Sequence, residues 1–565
     1  MPKLGTILLV EPDSLLQAPL TEALTRLGYL VWATAEVAEA RHWLYQEAVH
    51  IDLAIIGVTN GEHGREGIAL AQELDPEIYK LLTSTYIGSF DGLRLAHKTR
   101  FFNKQRGLDA LLNEIAYIFR QFIRLNHDLI IELDEDWHLN DLLRMVKPYQ
   151  DLPNTALTSR VRELRRLFQR LFFREAKVHL APLSPGKGGA GVVRVSPYYR
   201  VAQSGFHKGA EIVLKFGLRD DLAQELANYR EYVETFTGMQ STDVVGDIVQ
   251  TRHLAGVKFR FLGANKARVR EFGEVFADLS FSDTQIADMV AQMFRDSCAL
   301  WYANKFRLEA GMEGENTAVP TELAACYDDQ LDIYAPESWA EMQATQTSLL
   351  DGQRFRRESA TTLSVEFPHG RESYPDPLHF LAQYRAQLPP TTYCCITHGD
   401  VNERNIFIDG NHDTWLIDFS RTGPSTALRD LVQLESVIKF HLLPHENVPL
   451  LLAFEQWLNQ TSTFSGSIER TCPFDDPWLQ RAFAALRVVR QFTAEVLETD
   501  DMREYEAGLL FQAIKMITRS GLTQAAVQRR SARQRHALFA AMCHAASLNK
   551  SQTPLTIPLN LTVET

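Results

Sequence analysis

The chain has 565 residues, 45% of them hydrophobic, and a formal net charge of −13. That length exceeds what one hydrophobic core organises, so two to four domains are expected, and the acidic balance argues against a dedicated nucleic-acid binder. No apolar run approaches the roughly 18 residues of a membrane span, and Met1-Pro2-Lys3 leads into a strand rather than a signal peptide, so a soluble, cytoplasmic protein is expected.

Residues 1–122 alternate strands with helices. Strand patterns at Thr6–Val10, Leu30–Ala33, Leu53–Val58, Lys80–Ser84 and Arg100–Asn103 are separated by helical patterns at Ser14–Leu27, Glu36–Glu47 and Gly67–Leu74, and Leu108–Phe122 follows as a long helix. Short connections between such elements predict a five-stranded parallel sheet covered on both faces. The order and lengths resemble the response-regulator receiver domain, a flavodoxin-like α/β fold. In that family an Asp that accepts a phosphoryl group ends the third strand, and an acidic pair after the first strand binds magnesium. The matching places here are Gly57 and Glu11-Pro12, while Thr83 and Lys104 match the switch hydroxyl and the lysine. Asp13 and Asp52 lie nearby in sequence but not at the matching places. The resemblance therefore implies a pseudo-receiver without a phosphoryl acceptor, a regulatory module on which a signalling protein would dock.

Residues 123–175 read as a helical connector. Glu132–Asp136 (ELDED) reads as the start of a solvated helix. Further on, Arg160, Arg162, Arg165, Arg166, Arg170 and Arg174 accompany an apolar stripe of Val161, Leu164, Leu167 and Leu171. The simplest reading is an amphipathic helix with a solvated basic face; nucleic acid or an anionic membrane surface is the weaker one. The same helix offers a surface for a homodimer.

From residue 176 to 263 the pattern becomes a run of strands. Lys177–Leu183 and Val192–Val195 flank a glycine-rich loop, in which Gly186, Gly188, Gly189 and Gly191 would let backbone N–H groups approach phosphates. Glycine-rich hairpins are common, and Lys187-Gly188 is not the ending of a P-loop. Ala210–Phe216 is a strand carrying Lys215, and the helix after it carries Glu225, with Glu231 on the same helix. Taken singly, Lys215 is an ordinary edge-strand lysine and Glu225 a solvated helical glutamate.

Thr397–Phe419 (THGDVNERNIFIDGNHDTWLIDF) is the most informative stretch. Apolar runs before Asp409-Gly410 and before Asp418 predict two short strands joined by a hairpin turn, which would bring Asn405 and Asp418 together. Mg²⁺ takes hard oxygen donors and keeps several waters, so a nucleotide site commonly supplies one carboxylate, one amide and the phosphates. Asp418 and Asn405 suit those two roles, and Asp400 suits the base that takes a hydroxyl proton. Asp, Asn and Gly are also ordinary turn residues, so the weight rests on the joint spacing. His398-Gly399-Asp400, Asn405 and Ile417-Asp418-Phe419 resemble the catalytic loop and metal-binding strand of the aminoglycoside phosphotransferase branch of the protein kinase-like fold. The resemblance implies a bilobal α+β domain with its smaller lobe at 176–263 and its larger lobe at 264–550. It implies ATP and Mg²⁺ as cofactors, Asp400 as base, and Asn405 and Asp418 as metal ligands. It also implies Lys215 as the anchor of the α and β phosphates, Glu225 as its ion-pair partner, Asp430 as a support of the catalytic loop, and Phe261-Leu262-Gly263 as a hinge against adenine.

Around this stretch, residues 267–345 are mostly helical, Thr361–Pro375 contains a hairpin, and Trp478–Leu548 is helical. The first two look like insertions that would shape a substrate cleft. Arg529, Arg530, Arg533 and Arg535 read as a solvated basic face. The six cysteines show no metal-ligand spacing and read as reduced structural residues, and 551–565 reads as a loose tail. Two function classes stay open. One is an ATP- and Mg²⁺-dependent phosphotransferase acting on a hydroxyl of a small molecule or protein; the other is a catalytically inactive nucleotide-binding or scaffold protein in a bacterial signalling or conflict system. A DNA-binding response regulator lacks a recognisable helix-turn-helix segment.

Overall fold

The computed structural model describes residues 4–45, 50–58, 62–85, 98–183, 189–201, 205–236, 243–260, 269–308, 319–331, 335–518 and 527–550. The chain divides into two compact units, Met1–Gln224 with Asp243–Phe261, and Glu225–Thr242 with Leu262–Thr565.

The first unit opens with β1 (Gly5–Val10), β2 (Tyr29–Thr34), β3 (Leu53–Gly57), β4 (Tyr79–Ser84) and β5 (Thr99–Asn103), interleaved with α1 (Ser14–Arg26), α2 (Val37–Tyr45) and α3 (Glu62–Glu73) and followed by α4 (Leu108–Ile118). All strand pairs are parallel, in the order β2-β1-β3-β4-β5. The two-residue period of a strand divides β1 between two cores. Ile7 and Leu9 pack with Leu20 and Leu24 of α1 and Leu111 and Ile115 of α4. Leu8 and Val10 pack with Ala40 of α2 and Leu70 of α3. This is the receiver-like α/β fold expected from the alternation. At the C-terminal edge of the sheet, Glu11 is buried and pairs with Lys104 at 2.7 Å. At the N-terminal edge, Asp52 accepts the Thr6 backbone N–H at 2.8 Å, a structural role far from Gly57.

The same unit continues with β6 (Ile130–Leu133), α5 (Leu139–Arg144), α6 (Asn154–Leu171), β7 (Lys177–Pro182), β8 (Gly191–Val201), β9 (Gly205–Lys208), β10 (Ile212–Leu218), the start of α7 (Arg219–Asn228), β11 (Val249–Gln250) and β12 (Leu254–Arg260). They form a seven-stranded sheet in the order β11-β12-β10-β8-β7-β6, with β9 on β8. In two places the structure differs from what the sequence suggests. The acidic ELDED segment does not start a solvated helix: Ile130–Leu133 is an edge strand parallel to β7, Glu132 pairs with Lys177 at 2.8 Å, and Asp134 lies 3.3 Å from His179. The basic face of α6 is not solvated throughout. Its apolar stripe, Leu164, Leu167 and Leu171, packs on the sheet with Val193, Leu214 and Phe216. On the other side Arg166 Nε donates to Asp52 at 2.8 Å and Arg170 Nη1 donates to the Gln250 carbonyl at 2.5 Å. Acidic side chains and carbonyls at the bottom of the receiver-like sheet and in the β11–β12 turn take the place of water.

The second unit is helical, with three small three-stranded sheets among the described residues. The hairpin expected in 361–375 is present as Thr362–Phe367 against Gly370–Pro375. Arg429–Val437, Pro477–Leu497, Arg503–Thr518 and Val527–Lys550 form its helical core. Buried charges cross-link these helices: Arg490 donates twice to Glu435, at 3.0 and 2.7 Å, and Lys439 and His536 donate to Glu455 at 2.7 and 3.0 Å. Such charges persist only because each meets a partner. In the C-terminal arginine cluster, Arg533 donates to the His441 carbonyl at 2.7 Å and Arg535 lies 3.6 Å from Asp351, so these two bind the fold rather than solvent. None of the six cysteines is in a disulfide. Together the second sheet and this unit have the α+β composition of a kinase-like fold; the expected loose tail lies outside the described residues.

Candidate active site

The residues of the His398–Asp400 loop are positioned by a strand, a tight turn and a helix. The strand Tyr393–Thr397 ends at His398-Gly399-Asp400, and the hairpin Ile406–Ile408 to Thr414–Leu416 follows in register Ile406 to Leu416. Asp409 makes that turn, as predicted: its carboxylate accepts the N–H groups of Asn411 and Asp413 and the indole N–H of Trp415. Such local side-chain bonds to the backbone are what suit Asp to turns.

Asp430, on the helix Arg429–Val437, fixes the loop. Its two oxygens accept the backbone N–H groups of His398 at 2.7 Å and Gly399 at 2.8 Å. Burial pushes the Asp430 carboxyl up from its usual range, opposed by His398, by these two N–H bonds and by Arg429. Gly399 has φ +80°, and a β-carbon there would lie 2.3 Å from the Arg421 carbonyl oxygen, so only glycine fits this close approach. The His398 ring is buried with one nitrogen for each role: Nε2–H donates to the Ile417 carbonyl at 2.9 Å, and Nδ1 accepts the Asp400 N–H at 3.3 Å. The histidine thus ties the loop to the strand that leads to Asp418.

The loop brings Asp400 and Asn405 together. Asn405 Nδ2 donates to the Asp400 carbonyl at 2.8 Å and to its carboxylate at 3.2 Å. With that NH₂ committed, the free polar atom of the amide is Oδ1, a hard oxygen. The Asn405 carbonyl accepts the Ile417 N–H at 3.0 Å, which couples it to the backbone beside Asp418. Asp418 itself is left-handed, φ +67° and ψ 73°, a conformation Asp tolerates better than most residues but which still costs about 1 kcal/mol or more. Sequence reasoning missed Gln433, whose Nε2 donates to Asp400 Oδ1 at 3.1 Å. The available signal was its place three residues after Asp430, on the same helix face.

Of the residues expected to face phosphate, Lys215 is half-buried on β10, between Val192 of β8 and Val257 of β12. Glu225 is buried on α7, and Glu231 is exposed. Gly186 and Gly188 lie outside the described residues, as does the expected hinge. Gly189 has φ +81°, and its carbonyl accepts the Lys147 N–H at 3.0 Å. A β-carbon on Gly191 would lie 2.3 Å from the Phe216 ring, so packing alone requires glycine there. Among the described residues no three His, Cys, Asp or Glu gather to hold an ion. The donor set of Asn405 and Asp418 fits Mg²⁺ only as an ion shared with phosphate oxygens.

No significant relative is found among curated proteins. Among solved structures, the chain is similar to a response regulator from Thermotoga maritima, at 22% identity over 21% of this chain and 98% of that one, with a TM-score of 0.19. It is similar to the aminoglycoside phosphotransferase APH(4)-Ia, at 13% identity over 66% of this chain and 96% of that one, TM-score 0.35. A third is an ethanolamine kinase from Plasmodium vivax, at 11% identity over 71% and 86%, TM-score 0.26. A family profile described as ternary complex associated domain 9 matches residues 175–331 and 325–518. That match takes in β7 to β12, the HGD loop, the hairpin and Asp430, more than half of the chain, and the protein belongs to the ternary complex associated domain 9 family.

Proposed function

We propose that the chain is an ATP- and Mg²⁺-dependent phosphotransferase that transfers a phosphoryl group to a hydroxyl, with its receiver-like part serving as a docking or regulatory module for a signalling protein. The observation that carries this reading is the Asp400–Asn405 contact in a loop pinned by Asp430. Asp400 is oriented by Asn405 and Gln433 to accept the proton of an acceptor hydroxyl. Asn405 Oδ1 and the Asp418 carboxylate would hold Mg²⁺, which when bound neutralises phosphate charge. Lys215 would anchor the phosphates and Glu225 would orient that lysine. A solved aminoglycoside phosphotransferase structure is a complex with ADP and hygromycin B, which are ligands to try here.

The competing reading is a catalytically inactive nucleotide-binding or scaffold protein, one that binds a nucleotide or nothing. It is favoured by the loss of the acceptor at Gly57, a first site this chain does without, and by the packing explanation for Gly191. Excess MgATP separates the readings. A raised thermal midpoint that Asp418→Ala abolishes, with label transferred from γ-labelled ATP to an acceptor, supports the phosphotransferase. A shift without transfer to any acceptor supports the inactive nucleotide-binding protein, and no shift at millimolar MgATP counts against the phosphotransferase and leaves a scaffold that binds no nucleotide.

A further inference from the structure

The first unit contains a cavity of about 630 Å³ at the N-terminal edge of the receiver-like sheet. That edge is opposite Gly57, Glu11 and Lys104. The cavity wall includes Asp52, Tyr79 and Thr99, at or beside the starts of β3, β4 and β5. It is closed by Arg170 of α6 and by Thr251 and Arg252 in the β11–β12 turn. Its volume lies within the range of small-molecule sites, roughly 300–1,000 Å³. Apolar side chains, among them Ile51, Leu74, Ile78, Phe122 and Ile123, supply much of the lining.

The wall itself carries four carboxylates and four cations, and Arg166 and Arg219, which reach Asp52 and Asp75 from outside it, tip the surroundings to positive. Each carboxylate in the wall already has a cation. Arg166 donates to Asp52, Arg41 binds Glu73 through two bonds of 2.8 Å, Arg219 lies 3.0 Å from Asp75, and Lys98 lies 2.6 Å from Glu77. Two guanidiniums then lack a close carboxylate among the described residues. Among the described residues Arg252 donates only to the Leu44 carbonyl, at 3.2 Å. Among the described residues Arg170 comes no closer to a carboxylate than 3.8 Å, from Glu77; its Nη1 donates to the Gln250 carbonyl, and its Nε–H is buried without a partner. The Thr99 hydroxyl in the same wall is also buried and unpartnered. His50 is held down to about 3, by burial first and then by Arg166, Arg170, Arg252 and His253, so it adds no charge and reports a positive surrounding. A buried donor without an acceptor costs about 1–3 kcal/mol, which a suitable ligand would recover.

We propose that this cavity binds a small organic anion, its carboxylate, phosphate or sulfonate group held by Arg170 and Arg252 and its apolar body lying against Leu74, Tyr79 and Phe122. Such a ligand bridges the receiver-like sheet to α6 and the β11–β12 turn. Asp75, in the same wall, holds Arg219, the first residue of the helix that carries Glu225, so occupancy bears on the placement of that helix. Binding does not rest on the phosphotransferase reading; only its effect on the helix does.

The test uses the full chain and the anionic dye anilinonaphthalene sulfonate, followed by its fluorescence with and without excess MgATP. One saturable dye per chain is expected, unchanged by MgATP and bound more tightly than the neutral dye phenylnaphthylamine. Arg252→Gln, at an exposed position, is expected to weaken binding about ten-fold, the effect of one charge-assisted hydrogen bond, while leaving the thermal midpoint in place. Arg170→Gln is the second variant. Dye that binds both variants as it binds the parent chain, that MgATP displaces, that does not saturate, or that binds no better than the neutral dye overturns the proposal.

Discussion

A β-carbon on Gly57 would lie 2.7 Å from Glu11 Oε2, so the carboxylate that follows β1 occupies the space an acceptor at the end of β3 would need. Glu11 is in turn committed to Lys104, at 2.7 Å and 1% exposure. The lysine that matches the receiver pattern therefore already has its anion. Gly57→Asp is expected to leave the chain unable to take label from acetyl phosphate, because the new carboxylate collides with Glu11 and meets like charge. It should also lower stability by about 1–3 kcal/mol, the usual cost of overpacking a filled site. A melting curve and a labelling assay check both parts; a stable, labelled variant would show that the acceptor site needs only its Asp.

The receiver-like sheet was legible because its signal is local: five short apolar runs, separated by helical patterns, specify parallel strands without knowledge of anything distant. The hairpin beyond Asn405 was legible for a similar reason, since Asp409 makes its turn through residues two to six positions away. What covers the arginines of α6 was not. Helical periodicity identifies Leu164, Leu167 and Leu171 as the buried stripe, but it carries no information about an acid 114 residues upstream, and Asp52 is the partner of Arg166. The ELDED segment failed likewise. Its strand pairs with Lys177–Leu180, across the two intervening helices α5 and α6, so charge density alone suggested a solvated helix.

Arg166 Nε donates to Asp52 at 2.8 Å. Both are largely buried, and Asp52 also takes the Thr6 N–H. Arg166→Met removes the cation and leaves a buried carboxylate, which is expected to cost about 3–5 kcal/mol in urea unfolding. Adding Asp52→Asn removes the stranded charge and should recover part of the loss, a coupling that a double-mutant cycle reads directly. Equal and additive effects would mean the pair contributes nothing to the fold.

Asp400 and Asp430 should separate chemistry from architecture. Asp400→Asn keeps the shape of the loop and its bonds with Gln433 and Asn405 within reach, so the thermal shift with MgATP should persist while phosphoryl transfer falls about 10²–10⁴-fold. Asp430→Ala strands the N–H groups of His398 and Gly399 in a fully buried place. At about 1–3 kcal/mol for each unsatisfied donor, it should lower the melting point without nucleotide and abolish transfer as well. Transfer retained in Asp400→Asn would remove that residue from the role of base.

The pH dependence of stability should be visible at Glu506. This buried glutamate accepts the Ser547 hydroxyl at 2.7 Å, across the two long C-terminal helices, and burial raises its pKa from 4.5 to about 7. A carboxyl raised in the folded state is protonated there while the unfolded chain has already ionised. Its contribution is therefore fully present below pH 4.5 and is lost as pH rises toward 7. The shift corresponds to about 3 kcal/mol once both states are ionised. Glu506→Gln keeps an acceptor for Ser547 and cannot ionise, so above pH 7 it should be the more stable chain by up to that amount, with little difference below pH 4.5. His544 works in the opposite sense. Burial holds it down to about 3, so it favours folding above pH 6.5 and loses that contribution as pH falls. Urea unfolding of the parent and Glu506→Gln chains across this range isolates the glutamate, because His544 is common to both; parallel curves would show that Glu506 ionises alike in the folded and unfolded chain.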